Sequence, residues 1–177
     1  MSTVAESLEH GDDTGALVTV IVPGRDVADY VSEALASLRA QTFTRWRAIL
    51  VDDASLDTTA ELFAEAEASD PRFHLVRLTR PHGLGAARNL GLDLVETPYV
   101  AFLDADDVMT ETALERLVAT LSDSGSDVVV GAYVRLRPTE GGAYAAGDVQ
   151  PWVSAATSPE RRGTTLAEHP EISGNVV

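Results

Sequence analysis

Four apolar runs, each followed by a loop and then a helical pattern, constrain the fold more than any other feature of this sequence. They are Leu17 to Val22, Trp46 to Val51, Phe73 to Leu78 and Tyr99 to Leu103. Short continuous apolar runs alternating with helical periodicity are the signature of βαβ units, in which parallel strands are covered by helices. The expected class is therefore α/β, a mostly parallel Rossmann-like sheet with helices on both faces. The first helix would present Val27, Tyr30, Val31, Ala34, Leu35 and Leu38 at helical spacing, with Asp26 as its cap. Asp57 is read as the cap of a second helix running to about Ala68. A small-residue helix follows from Gly85 to about Val95 and is ended by Pro98, and Thr110 is read as the cap of a fourth helix to about Leu121. At Asp127 to Leu136 a β-branched run has no helix after it, so the alternation breaks and a different architecture is expected to begin.

Composition narrows the class further. With 177 residues the chain is one domain's worth, and with no cysteine it can form neither a disulfide framework nor a thiolate metal site. A net charge of −15, with its arginines scattered singly, argues against nucleic acid as a partner. All 13 basic residues are arginine, so any chemistry that requires lysine is excluded. Residues 1–16 carry neither a basic n-region nor an apolar h-region and read as a disordered leader. No apolar run approaches the ~20 residues of a membrane span, so a cytoplasmic protein is expected, with the inner face of a membrane open to a longer form. Residues 137–177 are rich in Gly, Pro, Ala, Ser and Thr and are expected to be loop-rich. The closing run Asn175-Val176-Val177 has nothing to finish it and reads as a chain cut short.

Open parallel sheets bind ligands outside the carboxyl ends of their strands. Three groups are expected there: Pro23 to Asp26, Asp52-Asp53, and Asp104 to Asp107. So many carboxylates at one edge repel one another unless a cation or hydrogen-bond donors neutralise them. Carboxylate oxygens suit Mg²⁺ or Mn²⁺, which would also offset the acidic surface for a phosphorylated ligand. Asp104 and Asp106 point the same way if the strand persists, while Asp107 joins them only if a turn begins there. The alternative is that Asp106 and Asp107 merely lead into the next helix. For Asp52 and Ser55 the alternative to ligand contact is an Asx-turn. Asp53 is favoured as an acceptor for a base or ribose donor. In His82-Gly83-Leu84-Gly85-Ala86-Ala87-Arg88 the glycines permit close approach of a ligand, and Arg88 can reach phosphate from the helix or lie on its surface.

In order along the chain stand Val20-Ile21-Val22-Pro23, Ser37 to Phe43, Val51-Asp52-Asp53-Ala54-Ser55, Gly83 to Gly91 and Phe102 to Asp107. Together these resemble the family 2 inverting glycosyltransferases with the GT-A fold, over about residues 17–136. The resemblance implies a nucleotide-sugar-binding domain there, with the start of an acceptor-side region after it. It implies that Pro23 and Asp53 hold the nucleobase, commonly uracil, that Gly83 and Arg88 lie at the diphosphate, and that Asp104 and Asp106 form an Asp-x-Asp motif for ribose and metal, with Asp107 close by. The implied reaction moves a sugar from a nucleoside diphosphate to an acceptor hydroxyl with inversion; the acceptor would be a glycan, a lipid-linked saccharide or a small molecule. Where the family usually has Tyr-Asn this chain has Gly24-Arg25-Asp26, so the expected aromatic face is missing; Arg25 could stack on a base through its guanidinium plane or contact phosphate, and base identity stays open. The family's general base lies well downstream; Glu168 and Glu171 are the only acids near the end, and the base is expected beyond residue 177.

Two other readings compete. A donor-binding fragment would bind nucleotide without turnover. A haloacid-dehalogenase-like phosphatase would use Asp104 as nucleophile and Asp106 as acid or base. That fold carries its motif on an early strand and usually needs a lysine.

Overall fold

The computed structural model describes residues 15–138 and 144–149, and most of the expected leader and of the expected loop-rich region lies outside them. Chain contacts divide the protein between Thr112 and Ala113. In the first unit the elements are β1 (Val18–Gly24), α1 (Ala28–Arg39), β2 (Trp46–Asp52), α2 (Thr59–Ser69), β3 (Phe73–Arg77), α3 (Leu84–Asp93) and β4 (Tyr99–Phe102). The strands form one sheet in the order β3-β2-β1-β4, and every pairing is parallel. The chain moves outward from β1 through β2 to β3, then returns to the other side of β1 for β4. The strand order therefore reverses between β1 and β4, and the crevice of such a sheet lies at that point.

Side-chain alternation assigns the two faces. Ile21 faces α3 and joins Ile49, Val51, Val76 and Ala87 in one buried cluster. On the opposite face Gly24 meets Phe63 of α2 and Val27. Trp46 and Phe73 share that second face by register and meet edge-on at 5.5 Å, while Arg72 covers the Trp46 ring at 4.0 Å. Helices cover both faces, which is why every residue of β1 is buried and why the strand reads as an unbroken apolar run. β1 runs further than expected, through Pro23 and Gly24, which pair with Val51 and Asp52. Pro23 lies beyond the last pair with β4, where its missing N–H costs no ladder bond.

The expected cap at Asp26 is not observed. Asp26 adopts φ +53° and turns its carboxylate to the Leu56 N–H at 2.7 Å. α1 instead begins after Val27, and its Ala28 N–H donates to Asp57 Oδ2 at 3.0 Å. Asp57 Oδ1 accepts from the Thr59 N–H at 2.9 Å, so one carboxylate serves the starts of α1 and α2 together. Burial alone would push this carboxyl up, but the Thr59 hydroxyl and the N–H groups of Ala28 and Thr59 outweigh it and hold Asp57 below the ordinary value. Asp57→Ala is expected to cost about 1–2 kcal/mol, the upper range for a lost cap. A folded-state value below the unfolded one stabilises above the unfolded pKa and is lost as pH falls through the folded value. Thermal melts should therefore separate variant and parent at neutral pH and converge in acid below the ordinary carboxylate value of 3.8.

In the second unit α4 (Ala113–Ser124) begins later than the expected cap at Thr110. The run from Asp127 to Leu136 is a strand only from Val134: β5 (Val134–Pro138) pairs antiparallel with β6 (Tyr144–Val149). The expected loop-rich region thus contains a strand, whose Ala-Ala-Gly core carries too little hydrophobic alternation to announce it.

Candidate functional site

Four loops at the carboxyl edge of the first sheet carry the expected residues, and they differ in how far their polar groups are already satisfied. In the loop after β1, Gly24 is closely surrounded: a Cβ there would lie 3.0 Å from Ala105 and 3.1 Å from Phe63. Pro23 accepts the Ala105 N–H through its carbonyl at 3.2 Å, which ties this loop to the one after β4. Arg25 is half-exposed at the rim, with Nε 3.6 Å from Asp26 Oδ2.

After β2 both aspartates are turned inward. Asp52 Oδ1 accepts from the Ser55 N–H at 3.2 Å, the Asx-turn alternative, and Oδ2 lies 3.7 Å from Arg77 Nε. Asp53, only 3 % exposed, grips the loop before α3: its two oxygens accept from the N–H groups of His82 at 2.7 Å and Gly83 at 2.8 Å. Gly83 has φ +89° and ψ 162°, a conformation essentially reserved for glycine, so these two N–H groups point at one carboxylate because residue 83 has no Cβ. Each oxygen of Asp53 keeps further lone-pair capacity.

The loop after β4 is different. A turn closes with Asp107 N–H donating to Asp104 carbonyl oxygen at 2.9 Å, and Ala105 is buried against the Gly24 position. This turn swings Asp107 to the same side as Asp104 and Asp106, and the three offer carboxylate oxygens all within 4.8 Å of one another. Partial desolvation, then the charges of Asp106 and Asp104, push the Asp107 carboxyl above its ordinary range. Of the acidic groups expected to converge, only this one is left as a cluster, since Asp52 and Asp53 are occupied by donors. Asp106 and Asp107 do not cap α4, which starts at Ala113.

Arg88 on α3 reaches this cluster. Its Nη2 donates to both oxygens of Asp104, at 2.7 and 2.9 Å, while its Nε is buried without a partner. The ring of Phe102 lies 5.9 Å from the guanidinium carbon. Asp104, the nucleophile of the phosphatase reading, is thus engaged by an arginine. His82 meets Arg80 Nε at 3.4 Å. Glu168, Glu171 and His169 lie outside the described residues. Sequence reasoning missed the clamp of Asp53 on residues 82 and 83; the positive φ implied by Gly83 after a polar loop was the available signal.

The glycosyl transferase family 2 model matches residues 19–166, across all of this site. The chain belongs to glycosyl transferase family 2. TuaG of Bacillus subtilis, a relative named as a teichuronic acid biosynthesis glycosyltransferase, is 38% identical over 100 residues, covering 56% of this chain and 40% of TuaG. The Escherichia coli UDP-Glc:alpha-D-GlcNAc-diphosphoundecaprenol beta-1,3-glucosyltransferase WfgD is 30% identical over 117 residues, 66% of this chain and 46% of that protein. Among solved structures, S. aureus TarS 1-349 in complex with UDP-GlcNAc superposes with a TM-score of 0.58 at 30% identity, covering 62% of this chain and 32% of TarS. The Pyrobaculum calidifontis mannosyltransferase PcManGT, in complex with GDP-Man and Mn²⁺, superposes with a TM-score of 0.58 at 29% identity, over 69% of this chain and 36% of that one. The α/β sheet is thus of the GT-A type. This chain spans less than half the length of these relatives. Among the described residues no helix is long and apolar enough to cross a membrane.

Proposed function

We propose that this chain is the donor-binding part of an inverting glycosyltransferase that takes a nucleoside-diphosphate sugar, UDP-linked in first preference, with a divalent cation. The observation that carries the reading is the Asp104, Asp106 and Asp107 cluster at the strand-order reversal, with Arg88 beside it. Three hard oxygen donors fit Mg²⁺ or Mn²⁺, and a cation there would relieve the desolvation and the charges of Asp106 and Asp104 that push the Asp107 carboxyl up. Asp106 and Asp107, with Asp104, would hold the cation. When bound, it supplies Lewis-acid stabilisation of charge on a departing diphosphate. The chain's own groups do the positioning: Arg88 offers its guanidinium to phosphate oxygens, and Gly83 lets backbone approach them. Pro23, Arg25 and Asp53 line the base end, where Arg25 stacks its guanidinium plane in place of an aromatic ring.

In the transfer an acceptor hydroxyl oxygen bonds to the anomeric carbon, the bond from that carbon to the diphosphate oxygen breaks, and the nucleoside diphosphate leaves with the electron pair. The hydroxyl proton passes to a carboxylate base, which we place in the acceptor-binding part after residue 177. We place the donor-binding domain at residues 17–136 and the acceptor-side region from 137 onward. The acceptor is a glycan, lipid-linked saccharide or small molecule; the lipid diphosphate in the name of WfgD supports the second, at the cytoplasmic face of a membrane.

UDP in TarS and GDP-Man in PcManGT leave two bases to separate. Calorimetric titration of UDP, GDP, CDP and ADP with Mn²⁺ and with EDTA is expected to give metal-dependent binding of one nucleotide, UDP before GDP. Binding of all four alike, or binding indifferent to EDTA, would reject the reading. Metal-dependent binding with no hydrolysis or transfer of the sugar would identify the chain as a donor-binding fragment.

A further inference from the structure

We propose that Arg88 is a latch on the carboxylate cluster: without nucleotide it occupies Asp104 and holds off a divalent cation, and a diphosphate releases it by offering another acceptor. The inference rests on the donor-site reading above and adds an order to it. Three observations carry it.

The first is competition for one group. Arg88 Nη2 lies 2.7 and 2.9 Å from the two oxygens of Asp104, and Asp104 is one corner of the cluster whose oxygens lie within 4.8 Å. A cation entering that cluster meets a carboxylate whose charge is already balanced and a guanidinium within repelling distance. The second is that the present pose does not use the arginine fully. A guanidinium offers five N–H donors in a fixed fork, yet here a single terminal nitrogen makes both bonds and the buried Nε has no partner. An unpaired buried donor is costly, and phosphate oxygens can take the Nε edge of the fork bidentately. The third is that the backbone of the arginine is fixed while its side chain, 23% exposed, is not fully enclosed. Its helix is pinned to the sheet at Gly91 against Ile21, and Phe102 lies 5.9 Å from the guanidinium carbon. The side chain can exchange acceptors while its backbone stays fixed. Coupling of this kind is reciprocal, so whatever removes Arg88 from Asp104 raises the cation affinity.

Nucleotides chelate metal themselves, so the discriminating measurement omits them. Mn²⁺ binding to the 177-residue chain, followed by the electron paramagnetic resonance of free Mn²⁺, is compared for the parent, Arg88→Met and Arg88→Lys. Arg88→Met is expected to bind Mn²⁺ about tenfold more tightly, within the usual range of coupling factors, and Arg88→Lys, which keeps the charge, within about threefold of the parent. In an Asp104→Asn background the same Arg88→Met change is expected to have no effect. Unchanged or weaker binding in Arg88→Met overturns the latch, as does an equal gain in the Asp104→Asn background, which would mark a long-range charge effect. Arg88→Gln repeats the test if the methionine variant does not melt cooperatively. Absence of Mn²⁺ binding in every protein, with or without UDP, would instead reject the donor-site reading itself. Binding that depends on Asp106 but ignores Arg88 would reject the latch alone.

Discussion

Gly91→Val is expected to lower the unfolding free energy by about 3 kcal/mol or more, although a glycine inside a helix is ordinarily a weakness. On propensity alone, replacing a helical glycine gains about 0.5–1 kcal/mol. Here the space decides the sign. A Cβ on residue 91 would lie 2.5 Å from Ile21 Cγ2 and 3.1 Å from Ile21 Cγ1, a separation at which something must move. Ile21 cannot give way, because it is fully buried in the central strand and branched at Cβ. α3 would have to lift from the sheet and open the cluster of Ile21, Ile49, Val51, Val76 and Ala87. Even Gly91→Ala should destabilise, by about 1–2 kcal/mol, since overpacking outweighs the gain in propensity. Denaturant unfolding measures both. A neutral or stabilised alanine variant would mean that α3 tolerates the shift, and Arg88 would then no longer be held in place from below.

That example shows where the sequence speaks and where it stops. The four strands were legible because a parallel strand covered on both faces must be apolar throughout, and β1 and β2 obey this almost residue by residue. The helices were legible as periodic stripes, with Val31, Ala34, Leu35 and Leu38 buried as their spacing requires, although Tyr30 of the expected face is 47 % exposed and Val27 precedes the helix. Local readings failed where a partner came from elsewhere in the chain. Asp26 has the chemistry of a cap, but its positive φ sends the carboxylate across to Leu56, and the cap of α1 arrives from Asp57 on another loop. No pattern within a single loop encodes that exchange.

The same distinction divides the acidic residues. As a sequence, Asp52-Asp53 and Asp104 to Asp107 look alike, two groups of carboxylates at strand ends. The structure separates them by which donors surround them. Asp53 accepts from two backbone N–H groups made available by the φ of Gly83, whereas the turn at Ala105-Asp106 brings three carboxylates together with a single arginine. Strand alternation could pair Asp104 with Asp106, but Asp107 joined them only through the turn bond to Asp104. The position of Arg88 was legible as a helical residue near phosphate; its engagement with Asp104 depends on β4 lying beside β1, which is a fact of topology.

Asp106→Ala should test this division most sharply. It is expected to weaken metal-dependent nucleotide binding at least about 100-fold, beyond the 10–100-fold that loss of an outer partner of a metal site typically costs. Asp106 is exposed and belongs to a cluster whose remaining members are Asp107 and an Asp104 already engaged by Arg88. Its loss removes no packing, so the melting temperature should stay within a degree or two of the parent or rise, as repulsion toward Asp107 is relieved. Asp52→Asn provides the contrast. That carboxylate is 1 % exposed and is held by Ser55 and Arg77, so its neutralisation is expected to cost about 1–3 kcal/mol of stability while leaving metal dependence in place. Calorimetry with and without EDTA, paired with thermal melts, reads both variants. If Asp106→Ala loses stability but keeps its metal-dependent binding, the cluster is a structural turn and the cation sits elsewhere. If Asp52→Asn also abolishes that binding while still folding, the carboxylates after β2 and β4 act as one site, and Asp52 serves the ligand as well as the turn.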